Sequence, residues 1–193
     1  MIDSLKSVFG VFWDFIEAIV FALAIFVVVY LFLFQPNQVK GGSMYPTFKD
    51  GQFIFTDKVT YRFGPPKRGD VVVFRSPKNS EIDFIKRIIG LSGETIKISA
   101  GKVYVNGALL DESDYLGLDV NTGPEAALGE NQEFVIPEGK YFVMGDNREH
   151  SSDSRDFGPV VPSEFVGRVF FRYWPISDFG KTETPQYQIT QGS

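Results

Sequence analysis

The sequence predicts a mainly β protein, in which one N-terminal transmembrane helix is followed by an all-β domain with a hairpin excursion. Three observations predict this class. Residues 15–34 are almost wholly apolar. The remaining chain is rich in Phe, Tyr, Val and Ile, which favour strands over helices. Short segments of alternating polar and apolar residues are separated by turns that contain Gly or Pro.

The apolar segment of residues 15–34 is interrupted only by Glu17, and Trp13 precedes it as a candidate interfacial anchor. As a helix it would extend about 30 Å, roughly one hydrocarbon thickness. A cleavable signal peptide is disfavoured because the segment is long and aromatic and no small-x-small site ends it. We expect Glu17 to reach the interface, and residues 1–14 to form a short N-terminal segment. Lysines lie on both sides of the helix, so charge does not predict its orientation.

Residues 35–180 are predicted to form one β-rich domain. We expect strands at residues 52–56, 71–74, 82–89, 95–99, 102–105, 133–136, 141–144 and 168–174. Ala100 and Gly101 predict a tight hairpin between two of them, and residues 137–140 predict a second hairpin. The polar residues 111–132 are expected to lie outside the core. Residues 181–193 are expected to form a flexible tail.

Composition excludes several classes of function. The net charge is −5 and no basic block occurs, which argues against nucleic acid as a partner. Cysteine is absent, so disulfides and thiolate catalysis are excluded. The chain has one histidine, which argues against a zinc site. We therefore expect neither a cofactor nor a metal.

One candidate nucleophile follows the apolar segment closely. Gly41 and Gly42 allow a tight turn before Ser43, and Pro46 restricts Tyr45 to an extended conformation. This pattern displays a small hydroxyl on an extended segment. Gly-Gly-Ser is also a common loop composition, so these residues alone leave an ordinary loop as the alternative.

A serine nucleophile needs a base at neutral pH, and Lys86 is the first candidate. In the predicted strand of residues 82–89, Lys86 shares a face with Ile82, Phe84 and Ile88. Burial among apolar residues would lower its pKa and supply a neutral amine. An edge-strand lysine that opposes aggregation is the alternative, and periodicity leaves both open.

The polar loop of residues 145–159 offers other chemistry. His150 could form a triad with Ser43 and Asp153, although a solvated histidine is the simpler interpretation. The acidic residues of the loop suggest calcium, but the spacing of an EF-hand is missing. Pairing of its Asp residues with Arg148 and Arg155 is the simpler account of the loop.

Four segments taken in order carry a specific resemblance: residues 42–47, 68–74, 86–90 and 145–155. Behind an N-terminal membrane helix, they closely resemble the bacterial type I signal peptidases over most of residues 15–175. The resemblance implies a signal-peptidase-like catalytic domain with a Ser–Lys dyad. In that dyad Ser43 is the nucleophile and Lys86 is the general base.

The resemblance also implies supporting residues. Ser151 matches a serine that positions the lysine amine, and Asp153 and Arg155 match a pair that shapes the site. Apolar pockets that admit small substrate residues are implied for Val39, Met44, Phe48, Phe84 and Ile85. Gly41 stands where some members of the family have a hydroxyl residue, so a side-chain donor to the oxyanion is missing here.

The expected function is that of a membrane-anchored serine endopeptidase that removes signal peptides after small residues. Its expected partners are the signal peptides of exported preproteins and the lipid bilayer, and we expect it to act as a monomer without nucleic acid. The resemblance implies a single-pass protein of the cytoplasmic (inner) membrane with an extracytoplasmic catalytic domain. A membrane-anchored β module that binds peptides without cleaving them is the alternative from a different class.

Overall fold

The structure is a computed structural model that describes residues 2–117, 119–185, 187, 189 and 190. The chain divides into two compact units, Met1–Gln35 and Pro36–Ser193. The first unit is dominated by one helix and the second by two antiparallel sheets. This architecture confirms the predicted mainly β class with an N-terminal apolar helix.

Helix α1 (Ile2–Leu33) fills most of the first unit. Within it, Phe9–Tyr30 is long and apolar enough to cross a membrane, by its length and composition. The helix therefore begins well before residue 15. Gly10 disfavours a helix, but a single glycine is tolerated within one. It ends at Leu33, where the chain turns extended just before Pro36, a residue that cannot continue a helix.

The first sheet, sheet A, has seven strands in the order β1-β2-β10-β3-β4-β9, and β11 also pairs with β10. Its strands are β1 (Phe34–Gln38), β2 (Phe53–Asp57), β3 (Val71–Arg75), β4 (Asp83–Gly90), β9 (Phe142–Met144), β10 (Phe165–Trp174) and β11 (Gly180–Lys181). Strand β3 is buried on both faces and lies at the centre, as its unbroken apolar sequence requires.

The second sheet, sheet B, has five strands in the order β12-β7-β6-β5-β8. They are β5 (Thr95–Ser99), β6 (Lys102–Val105), β7 (Ala108–Leu110), β8 (Glu133–Val135) and β12 (Ile189–Thr190). The predicted hairpin between β5 and β6 is confirmed. Ala100 and Gly101 both have positive φ, at 49° and 73°, as a two-residue turn of this kind requires.

Two short helices and two 3-10 turns complete the second unit: α2 (Thr60–Phe63), α3 (Ser154–Phe157), Pro162–Glu164 and Ile176–Asp178. Three apolar clusters form its core. The first joins sheet B to β4 and β9 through residues such as Ile89, Ile96 and Phe142. The second contains Met44 and Phe48, which follow the candidate nucleophile in the chain. The third packs on the other face of β3 and β4.

The predicted hairpin around residues 137–140 is wrong. Strand β8 pairs with β5 in sheet B, whereas β9 pairs with β4 in sheet A. Burial explains the separation: β8 is a half-exposed edge strand, but all three residues of β9 are buried. An apolar strand of that kind needs neighbours that cover both of its faces, and the turn carries the chain from one sheet to the other.

Two other expectations need correction. Residues 111–132 do not all lie outside the core, because Leu116 and Leu128 are buried and Leu128 belongs to the first cluster. The segment from Lys181 is not simply a free tail. Thr182 donates a backbone hydrogen bond to Phe170, and Ile189 pairs with Leu110. Residues 186, 188 and 191–193 of that segment lie outside the described residues.

Candidate active site

The loop between β1 and β2 presents Ser43, which is half-buried. Gly41 has a φ of 83°, which favours glycine, and its N–H donates to Asp50 Oδ1 at 2.7 Å. The Gly42 carbonyl accepts from Asn147 Nδ2 at 3.0 Å, and the Ser43 carbonyl accepts from the Asn147 N–H at 2.9 Å. The backbone on both sides of the serine is therefore fixed by the loop that follows β9.

Strand β4 brings Lys86 to the serine. Lys86 Nζ donates to Ser43 Oγ at 2.8 Å and to the Ile85 carbonyl at 3.1 Å. The residue is only 3% exposed, so it is not a solvated edge-strand lysine. Its predicted face is confirmed, since Phe84 and Ile88 of the same strand pack in the third cluster. The Phe84 ring lies 5.1 Å from Nζ.

The surroundings of Lys86 favour its neutral form. Burial lowers the pKa of Lys86 from 10.5 to about 8, although the negative charges of Asp153 and Asp146 oppose this. At pH 7 about one-tenth of the molecules would then carry a neutral amine. Its lone pair could accept a proton from the serine with which it shares a hydrogen bond.

Asp153 and Arg155 form a buried ion pair beside this site. Two oxygens of Asp153 accept from Arg155 Nε at 2.9 Å and Nη2 at 2.8 Å. Asp153 also accepts from the Gly145 N–H at 3.0 Å and caps α3 through the Arg155 N–H at 3.1 Å. The Asp153–Arg155 pair therefore holds together the loop that contacts Ser43. Pairing of Asp with Arg within this loop was predicted from the sequence.

Two other aspartates of this loop, Asp146 and Asp156, pair with residues outside it. Asp146 accepts from Arg87 Nε at 2.9 Å and Nη2 at 2.6 Å, and Asp156 pairs with Lys78. Within the described residues, no group of three or more His, Asp or Glu is placed to hold a metal ion. Arg87 was not among the predicted site residues. The signal for it was its position next to Lys86, on the opposite face of the same buried strand.

The resemblance implied that Ser151 positions the Lys86 amine, and the structure does not form a hydrogen bond between the two side chains within the described residues. Ser151 is buried, but its Oγ has no hydrogen-bond partner in the part of the chain that the structure describes. It packs instead against Gly145. A Cβ built at Gly145 would lie 2.1 Å from Ser151 Oγ and 2.5 Å from the Ser43 carbonyl. Residue 145 must therefore be glycine for these three residues to approach one another.

The alternative triad is not assembled. His150 is exposed, and its backbone N–H donates to the Asn147 carbonyl. Both oxygens of Asp153 are occupied by Arg155, and the Gly145 N–H shares one of them. Ser43 Oγ accepts its hydrogen bond from Lys86. Residues 2–117, 119–185, 187, 189 and 190 contain no hydrogen bond from the His150 ring to Ser43 or to Asp153.

A groove of about 670 Å³ lies between the chain at residues 36–40 and the start of β4. Of the predicted pocket residues, Val39, Phe84 and Ile85 line it. Met44 and Phe48 do not. They are fully buried in the second cluster, where their side chains anchor the loop that carries Ser43 to the core.

One side of β4 is open along the groove. Strand β3 pairs with Asp83 through Arg87, whereas β9 pairs with β4 only from Arg87 onward. Residues 83–86 therefore have no strand on the side away from β3, within the described chain. An extended peptide could add a strand there and end beside Ser43 and Lys86.

Comparison with known proteins gives a family match, similar sequences and a similar solved structure. The family model described as signal peptidase, peptidase S26, matches residues 12–174. Signal peptidase IB of Staphylococcus aureus (strain COL) is 39% identical over 186 residues, which cover 90% of this chain and 95% of that protein. Signal peptidase I of Bacillus amyloliquefaciens is 35% identical over 184 residues, or 93% and 94% of the two chains. A crystal structure of a signal peptidase I from Enterococcus faecalis V583 is 34% identical and covers 54% of this chain and 97% of that one, with a TM-score of 0.43.

Proposed function

This chain belongs to the signal peptidase S26 family, and on that premise we propose that it is a membrane-anchored serine endopeptidase that uses Ser43 and Lys86 to remove signal peptides. The observation that carries the proposal is the 2.8 Å hydrogen bond between Lys86 Nζ and Ser43 Oγ in a buried environment. A lysine in that position can be neutral and within reach of the proton that it must remove.

The proposed reaction has two halves. Neutral Lys86 takes the proton of Ser43 while Oγ attacks the scissile carbonyl carbon. The same ammonium then protonates the leaving amine, and an acyl-enzyme remains on Ser43. In the second half Lys86 deprotonates a water, which releases the acyl group and restores the serine. Asp153 and Arg155 support both halves by fixing the loop that holds the Ser43 backbone.

The tetrahedral oxyanion needs hydrogen-bond donors in fixed positions. The Ser43 N–H is one candidate, because it has no hydrogen-bond partner among the backbone contacts of the described residues. Gly41 supplies no side chain, so a second donor must be a backbone N–H or a water. Removal of one such donor typically costs about 100- to 1,000-fold in kcat, which makes preorganisation of this loop central to the reaction.

The position and the apolar lining of the groove support the proposed substrate. A signal peptide ends in an extended segment with small residues near its cleavage site. Such a segment fits beside residues 83–86, where Val39, Phe84 and Ile85 leave shallow apolar space. We propose that α1 anchors the protein in the cytoplasmic membrane with the catalytic domain outside the cytoplasm. Holding enzyme and preprotein in one bilayer raises their effective concentration.

The test uses the full chain in lipid vesicles with a preprotein as substrate. Ser43→Ala and Lys86→Ala are each expected to abolish cleavage, and mass spectrometry of the parent reaction is expected to show cuts after small residues. Ser177→Ala and Lys49→Ala are matched controls, because both residues are exposed and neither contacts the pair. Undiminished cleavage by either Ser43→Ala or Lys86→Ala would refute the dyad. A chain that binds preproteins and never cleaves them would instead be the non-enzymatic β module.

A further inference from the structure

Residues 111–117 and 119–128 include several that contact three buried arginines near the site, Arg87, Arg148 and Arg155. The Arg87 guanidinium lies 4.1 Å from the centre of the Tyr115 ring. Arg148 binds Glu112 and Thr122. Arg155 donates to the Gly123 carbonyl at 3.1 Å, and its own carbonyl accepts from the Ala127 N–H at 2.7 Å. The Arg155 guanidinium also lies 3.5 Å from a carboxylate oxygen of Glu125. A polar excursion that merely covered the surface would not converge on these three side chains.

Arg148 carries the most direct of these connections. Its guanidinium is fully buried and donates to Glu112 Oε2 at 2.9 Å, to Thr122 Oγ1 at 2.8 Å and to the Gly145 carbonyl at 3.0 Å. A second nitrogen of the guanidinium also binds Glu112. Glu112 is the carboxylate that forms an ion pair with this buried cation.

Gly145 transmits the position of Arg148 to the nucleophile. Its Cα packs so closely on the Ser43 carbonyl that an added Cβ would lie 2.5 Å from that oxygen. Two residues further along, the Asn147 N–H donates to the same carbonyl at 2.9 Å. A displacement of Gly145 toward Ser43 would therefore shift the Ser43 backbone.

We propose that Glu112 is a positioning residue for the Ser43–Lys86 pair and that residues 111–117 and 119–128 form an intramolecular clamp on the loop behind Ser43. This inference rests on the proposed function, since it concerns the rate of the same reaction. Without the Glu112 charge, Arg148 is a buried cation without its ion pair, and the nearby Asp146 becomes the carboxylate that it attracts. That attraction competes with the Arg87–Asp146 pair and displaces Gly145.

The experiment compares Glu112→Gln with Glu94→Gln in the full chain. Glu94 is a matched control, because it also pairs with an arginine, Arg68, and its side chain is 17% exposed against 11% for Glu112. The Glu94–Arg68 pair is bonded to residues 89 and 91 and not to the loop behind Ser43. Both substitutions are expected to lower the thermal midpoint by a similar amount.

Only Glu112→Gln is expected to lower kcat, by about tenfold or more with KM within about twofold, because displacement of a reacting group acts on the chemical step. Glu112→Asp is expected to recover part of that loss. Hydrogen exchange is expected to be faster at the Gly145 and Asn147 amides and unchanged in β5 and β6. Equal kcat values for Glu112→Gln and Glu94→Gln would overturn the clamp, as would a loss expressed in KM alone.

A second pair of variants keeps the inference testable if Glu112→Gln does not fold. Thr122→Val removes one acceptor from Arg148, and Thr122→Ser retains it. We expect the first to lower kcat severalfold and the second to match the parent, whereas equal loss in both would overturn the clamp. Failure of the proposed function is distinguishable, because the parent itself would then show no Ser43-dependent cleavage.

Discussion

Ser43 and Lys86 are 43 positions apart in the chain, yet Lys86 Nζ lies 2.8 Å from Ser43 Oγ. The lysine reaches the serine from a buried strand, and the serine is held by backbone contacts to the loop after β9. The two groups therefore belong to separate, rigid parts of the second unit. Rigid support of this kind keeps the two side chains within hydrogen-bonding distance, as the proposed transfer of a proton from Ser43 to Lys86 requires.

The rate of cleavage is expected to rise with pH and to reach half of its maximum near pH 8. Lys86 must be neutral to act as a base, and burial lowers its pKa to about 8. Below that pH most molecules carry the ammonium and are inactive. The measurement is kcat/KM for a preprotein between pH 6 and pH 9.5. A profile that is flat across this range would contradict a lysine base.

His150→Ala is expected to leave kcat/KM within about twofold of the parent, because an exposed side chain without a bond to Ser43 cannot serve as the base. The midpoint of the pH profile is also expected to stay near pH 8, the pKa of Lys86. Lys86→Ala in the same assay is the positive control for loss of a base. If His150→Ala instead costs several orders of magnitude, the triad must be reconsidered.

The stability of the second unit is expected to depend on pH through Lys86. Its pKa is about 8 in the folded state and near 10.5 when exposed, so between pH 8 and pH 10 the unfolded state binds more protons. The free energy of unfolding therefore rises with pH in that window. Below pH 8 the folded state carries the full cost of burying the Lys86 cation, which is of the order of 3 kcal/mol.

Lys86→Met is expected to remove this dependence and to stabilise the folded chain at pH 7. Urea unfolding of both proteins in detergent, at half-unit steps from pH 7 to pH 10, measures the difference. The measurements end at pH 10 because Tyr187 adds a second pH dependence above that value. Burial raises the pKa of Tyr187 to about 12, so above the usual tyrosine pKa of about 10 the unfolded state loses its proton first and the free energy of unfolding falls as pH rises. Parallel pH curves for the two proteins would contradict the lowered pKa of Lys86.

Local patterns in the sequence predicted the parts of the fold that local chemistry decides. The apolar length of α1 and the Ala100–Gly101 hairpin are examples, because each needs only neighbouring residues. The alternation around Lys86 predicted its face correctly. It could not distinguish a buried lysine from an edge lysine, since that depends on whether a distant strand covers the face.

The polar support of the site was harder to predict for the same reason. Asp146 pairs with Arg87 and Glu112 with Arg148, over separations of 59 and 36 residues. Ion pairs leave no periodic pattern in a sequence, so residues 111–132 were interpreted as an excursion outside the core. The separation of β8 from β9 was missed because a four-residue turn is equally compatible with a hairpin and with a crossing between two sheets.

Gly145→Ala is expected to reduce cleavage by about 100-fold or more, even in molecules that remain folded, because small displacements at a reacting centre have effects of that size. The added Cβ would lie 2.1 Å from Ser151 Oγ and 2.5 Å from the Ser43 carbonyl, so both residues must move. Overpacking of this kind also costs about 1–3 kcal/mol of stability. Gly64→Ala is the matched control, since nothing lies within 4 Å of its added Cβ.

The double variant Gly145→Ala/Ser151→Gly separates the two contacts. Ser151→Gly relieves the contact with the Ser151 side chain but not the contact with the Ser43 backbone, so the double variant is expected to recover stability and to cleave slowly. Full recovery of cleavage by that double variant would show that Gly145 serves Ser151 alone and does not fix the nucleophile.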